Sequence, residues 1–79
     1  MIKRRSLGQH FLTSHSIANS IVDSAHIGKD DIVLEIGTGH GILTPLLCAN
    51  AKQVISVEKD PVLYSKAKDA FSHLPNLIM

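Results

Sequence analysis

Tryptophan is absent, and only three residues, Phe11, Tyr64 and Phe71, are aromatic. That excludes a surface on which successive nucleobases stack. One cysteine, Cys48, excludes an internal disulfide and suits a reducing compartment. No apolar run approaches the roughly 20 residues of a membrane helix. The basic N-terminus is not followed by the apolar stretch of about 7–15 residues that a secretory signal needs. Repeats and low-complexity tracts are missing too. The five histidines show no metal-ligand spacing, so no metal is expected, and His15, His26 and His73 read as exposed.

What is present is ordinary globular chemistry. The 79 residues are 44% hydrophobic and 19% charged, with a net charge of +1. The total conceals an asymmetry. Residues 1–22 carry Lys3, Arg4 and Arg5 and no acid, whereas residues 23–79 set five lysines against seven acids. A basic arm over residues 1–13 on a mildly acidic body points to a polyanionic partner or to a solvated tail.

The hydrophobic pattern alternates between periods. Ile17, Ile21, Val22 and Ala25 fall on one helical face, behind the capping candidates Thr13 and Ser14. Residues 32–36 form a β-branched run bounded by Asp30-Asp31 and Gly37, a buried strand of a parallel sheet. A second helix is predicted from Ile42 to about Asn50, with Leu43, Leu46 and Leu47 inward and Cys48 in the core; Pro45 confines its start. Residues 53–57 form a second strand. Asp60-Pro61 is a cap followed by a first-turn proline, so a helix begins there with Leu63, Ala67, Ala70 and Phe71 on one face. Pro75 stops it, and residues 76–79 open a third strand. The fold class is therefore α/β, with right-handed βαβ crossovers and a βαβα unit over residues 14–79. A parallel sheet of this kind requires helices on both faces, which two strands and a stub cannot supply.

Chemistry concentrates where the first strand meets Gly37-Thr38-Gly39-His40-Gly41. Glycines bend the backbone tightly and let a ligand approach where a Cβ would clash. The following helix turns N–H groups toward the loop. Glu58 stands at the end of the second strand, 21 residues after Gly37, where a carboxylate accepts both hydroxyls of a ribose diol. The dinucleotide fingerprint places its third glycine one position later than Gly41. With Glu35 ahead of it, Glu-x-Gly-x-Gly-x-Gly is the pattern expected of S-adenosylmethionine methyltransferases. His40 either edges the cofactor or is a solvated loop residue. A glycine turn that binds nothing is the bland alternative.

Before the first helix stands Leu7-Gly8-Gln9-His10-Phe11-Leu12, which composition does not explain; its bland reading is a hydrophobic staple. With residues 33–44 and Val57-Glu58-Lys59-Asp60, it resembles the ribosomal RNA adenine N6,N6-dimethyltransferases, which dimethylate two adjacent adenosines of small-subunit ribosomal RNA. The spelling is most similar to archaeal members, and the resemblance spans nearly the whole chain. It implies a Rossmann-like S-adenosylmethionine-dependent methyltransferase fold, here its first βαβ half. It implies that His10 and Leu12 touch the cofactor from the N-terminal loop, that Gly37 approaches its methionine portion, and that Gly39 and Gly41 shape the loop. Glu58 would bind the ribose and Lys59 would adjoin the adenine side. It implies S-adenosyl-L-methionine as the cofactor and the small ribosomal subunit and its RNA as the partner, contacted by Lys3, Arg4 and Arg5. A monomeric, cytoplasmic protein without membrane contact is expected.

Two departures qualify the resemblance. Thr38 replaces a common proline, a feature shared with the erythromycin-resistance methyltransferases of large-subunit RNA, the first alternative. The later acid that holds the cofactor's adenine and the Asn-Leu-Pro-Tyr segment that grips the target base are not in the sequence, so no catalytic residue is assigned. An oxidoreductase fragment using NAD and a non-enzymatic RNA-binding module are further alternatives. A whole seven-stranded domain needs roughly 150 residues, so the chain is expected to be the first part of one and inactive alone.

Overall fold

The structure is a computed structural model that describes residues 2–5 and 15–79. Its elements are β1 (Ile2–Arg5), α1 (His15–Ser24), β2 (Ile32–Ile36), α2 (Thr44–Asn50), β3 (Gln53–Val57), α3 (Pro61–Ala70) and β4 (Leu77–Ile78). The four strands form one parallel sheet in the order β1-β2-β3-β4. Each crossover advances by one strand in the same direction. Right-handed connections then place the three helices on one face.

The register shows what each face holds. Val33 pairs with Val54, and both are completely buried beneath Ala18, Val22, Leu47 and Cys48. Burying each large aliphatic side chain contributes about 1.5–3 kcal/mol. The opposite face carries Ile32, Leu34, Ile36 and Ile55, all half-buried, with Val57 and Ile78 each 48% exposed. The sheet is therefore covered by helices on one side, as the strand count required.

Local signals account for most boundaries. Asp60 Oδ1 accepts from the backbone N–H groups of Val62 (2.9 Å) and Leu63 (3.1 Å), and Pro61 follows with its φ preset. Pro45 lies in the first turn of α2. Asn76 Nδ2 donates to the carbonyls of Cys48 (2.8 Å) and Ala51 (3.2 Å), anchoring the approach to β4 against the end of α2.

Four expectations are corrected. Residues 2–5, read as part of an arm, pair with β2 as a strand; a free sheet edge recruits a segment through main-chain groups, which hydrophobic patterning does not report. Ile17 is 53% exposed, because α1 packs through the small Ala18 and Val22 instead. Ala70 is exposed, and α3 turns Ala67 inward. Finally, α2 starts at Thr44 rather than Ile42, since residues 41–43 bend to complete the glycine turn. Among the described residues no helix is long and apolar enough to cross a membrane.

Candidate functional site

Strands β2 and β3 end side by side, with Glu35 opposite Ser56 and Ile36 opposite Val57. The chain leaves β2 through Gly37, whose N–H donates to the Val57 carbonyl at 2.7 Å, and turns back when the Gly41 N–H donates to the Thr38 carbonyl at 3.0 Å. All three glycines occupy left-handed backbone, with φ of 87° at Gly37, 60° at Gly39 and 79° at Gly41. At Gly41 a second constraint applies. A Cβ there would stand 2.5 Å from Cε2 and Cζ of Phe71, so the ring from the end of α3 packs directly on the turn.

Glu58 joins the two strand ends. Its Oε1 accepts from the Gly39 N–H at 2.8 Å and its Oε2 from the Asp60 N–H at 2.9 Å. The carboxylate is half-buried and bound to both turns. A carboxylate offers about four acceptor positions, so two backbone donors leave capacity for two hydroxyls. Lys59 is exposed beside it, and His40 is exposed within the turn.

Beneath the turn lies a buried polar cluster. Glu35 is 2% exposed, and its Oε1 accepts from Thr44 Oγ1 at 2.7 Å and Ser56 Oγ at 2.6 Å. Thr38 Oγ1 lies 2.5 Å from Ser56 Oγ. The hydroxyls offset the desolvation that an inward carboxylate would otherwise suffer. Nearby, burial pushes the Cys48 thiol up to about 11, and the negative charge of Glu35 adds to the effect. Cys48 is thus an inert core group, as the sequence implies.

Of the sequence-derived site residues, the structure brings Gly37, Gly39, Gly41 and Glu58 together, with Lys59 at the rim. His10 and Leu12 lie outside the described residues, and of Lys3, Arg4 and Arg5 only the strand backbone is described. Sequence reasoning missed Thr38, Thr44 and Ser56 as a group with Glu35. The signal was available in part. Period-two alternation turns Glu35 inward with Val33, and Ser56 inward with Val54.

A parallel sheet whose first long strand opens into this turn, with an acid ending the next strand, defines a Rossmann-like methyltransferase fold. Three comparisons agree. The family model for ribosomal RNA adenine dimethylase matches residues 2–79, and the chain belongs to that family. A probable ribosomal RNA small subunit methyltransferase A of Methanopyrus kandleri is 46% identical over 74 residues, covering 94% of this chain and 27% of the relative. The ribosomal RNA small subunit methyltransferase A of Latilactobacillus sakei is 45% identical over 74 residues, covering 94% and 25%. The crystal structure of the 23S rRNA methyltransferase ErmE superposes with a TM-score of 0.82 at 36% identity, covering 87% of this chain and 28% of that one. The chain spans about a quarter of the length of the relatives it matches.

Proposed function

We propose that this chain forms the S-adenosyl-L-methionine-binding part of an adenine N6-dimethyltransferase that modifies two adjacent adenosines of small-subunit ribosomal RNA during cytoplasmic ribosome biogenesis. The observation that carries the reading is the Glu58 carboxylate, held against the Gly39 N–H at the mouth of a turn with three left-handed glycines. A carboxylate here suits the ribose diol of either nucleoside cofactor; what favours S-adenosylmethionine over a dinucleotide is the third glycine at Gly41, one position earlier than the dinucleotide fingerprint places it. Glu58 holds the two ribose hydroxyls. Gly37 approaches the methionine portion, and Gly39 and Gly41 shape the turn. Lys59 borders the adenine side, and His10 and Leu12 approach from the N-terminal loop. When bound, the cofactor supplies an electrophilic methyl group on a sulfonium. No residue of this chain is assigned to gripping the acceptor adenine. Lys3, Arg4 and Arg5 contact ribosomal RNA phosphates, and the protein works as a monomer without membrane contact.

A second reading, methylation of large-subunit RNA, is favoured by the likeness to ErmE and by Thr38. The small-subunit reading is supported by the names of the closely similar relatives and by Gly8-Gln9-His10.

Calorimetric titration of the chain with S-adenosylmethionine and with NAD tests the cofactor. Binding of the first and not the second is expected. Glu58→Ala should weaken it by about 1–3 kcal/mol, the loss typical of hydrogen bonds to a charged group. An unchanged dissociation constant would remove Glu58 from the site.

A further inference from the structure

The glycine turn faces a mechanical difficulty. Three left-handed glycines in five residues give it little intrinsic stiffness, since glycine loses more conformational freedom on ordering than any other residue. Yet a cofactor site must be held in shape before the ligand arrives, or the ordering cost is subtracted from affinity. The direct backbone ties are the bond from Gly37 to Val57 and the bond within the turn from Gly41 to Thr38. The remaining restraint comes from Glu58, which accepts from the Gly39 N–H, and from side chains that the proposed cofactor contacts do not include.

Proton counting orients these side chains. Ser56 has a single hydroxyl hydrogen, and it is directed to Glu35 Oε1. In the contact between Thr38 and Ser56, Thr38 must therefore donate. Thr44 donates to the same Glu35 oxygen from the start of α2. Every hydroxyl proton runs toward one buried carboxylate, and bonds aligned in this way polarise one another in a low-dielectric interior. The members come from four places: the end of β2 (Glu35), the turn (Thr38), the first residue of α2 (Thr44) and the end of β3 (Ser56). The cluster thus ties both ends of the glycine turn to the two central strands. All four residues are at most 5% exposed, so none is spent on solvent.

We infer that Thr38, Thr44 and Ser56 are positioning residues for the cofactor turn, acting through the buried Glu35 carboxylate rather than by touching the ligand. The inference rests on the cofactor reading above. It assigns Glu35 the role of a shared acceptor that holds the turn, and it assigns cofactor affinity a dependence on three hydroxyls beneath the site. The turn's shape is set from below by these hydroxyls and from above by Glu58.

Thr38→Val, Thr44→Val and Ser56→Ala each remove one hydroxyl with little change in volume, and Thr44→Ser restores one. Titration of the 79-residue chain with S-adenosylmethionine is expected to give dissociation constants raised about tenfold for the three deletions and within about threefold of the parent for Thr44→Ser. Because the hydroxyls share one acceptor, Thr44→Val with Ser56→Ala should raise it by less than the product of the single effects. Amide exchange read by mass spectrometry supplies a ligand-free measure. Residues 37–43 should exchange faster in the deletions, while α3 exchanges as in the parent. A role confined to folding would lower the unfolding midpoint yet leave the folded-state affinity and the relative exchange of the turn unchanged, and that result overturns the inference. Should Ser56→Ala fail to fold, Thr38→Val at the outer end of the chain of bonds decides. Should the parent chain itself not bind the cofactor, the cofactor reading fails, and the exchange of residues 37–43 alone judges the positioning role.

Discussion

Among the described residues, two strand-to-helix turns lie at the same end of the sheet, after β2 and after β3, and they are built in opposite ways. The turn from β3 into α3 satisfies itself. Asp60 caps two N–H groups, Pro61 removes a third donor, and φ is preset. The turn from β2 into α2 has Leu43 at the cap position with no side-chain hydrogen bond, and it runs through three left-handed glycines. Its order is imported: from Glu58 on the neighbouring turn, from the hydroxyls around Glu35, and from the ring of Phe71. The first turn serves the helix that follows it. The second carries no side chain at Gly37, Gly39 and Gly41, and the rest of the structure supplies the stiffness it gave up.

The contrast breaks most sharply at Gly41. Gly41→Ala forces a side chain into left-handed backbone and against Phe71, and should destabilise the chain by about 3 kcal/mol in urea unfolding. Combined with Phe71→Ala, which removes the clash but not the backbone strain, the loss should fall short of the sum of the two single losses. Additive losses would show that the ring and the turn do not interact.

Asp60→Ala addresses the self-sufficient turn. It should cost about 1 kcal/mol, the usual value of a lost cap. S-adenosylmethionine binding should stay within about twofold of the parent, because the Asp60 atom that meets Glu58 is its backbone nitrogen. A large loss of affinity would mean that the two turns are not separable.

The effect confined to alkaline pH, and absent under physiological conditions, concerns Cys48, below the glycine turn. With the folded thiol raised to about 11 and the unfolded one at 9.0, unfolding releases a proton between these values. The thiol's contribution is therefore complete below pH 9 and is lost as pH rises toward 11, at roughly 1 kcal/mol per pH unit. Cys48→Ala should flatten that part of the stability profile, and at neutral pH it should cost only the pH-independent packing of the lost sulfur. Alkylation at pH 8 should likewise be slow in the folded chain and fast in urea.

Much of this arrangement is legible in the residues themselves. The bounds of β2 and β3 follow from β-branched runs between turn residues, and the start of α3 from Asp60-Pro61. The glycine spacing and Glu58 mark the candidate site in the sequence. Other features resisted. Strand β1 carries three charges in four residues, and only the open edge of β2 makes it a strand. The outward position of Ile17 could not be read from helical periodicity, because that period leaves the choice of seam open to a rotation of about one residue.

The sequence by itself determined the alternation of strand and helix, the flexible turn, the capped turn and the acid between them. Each depends on residues within a few positions of one another: a fixed proline φ, a permissive glycine, a carboxylate in reach of two N–H groups. Tertiary structure alone decided that Glu35 meets Ser56, 21 residues away, that Thr38 and Thr44 join them, and that Phe71 closes on Gly41. Those contacts exist only once the parallel register pairs the strands and the crossover brings α3 back along the sheet.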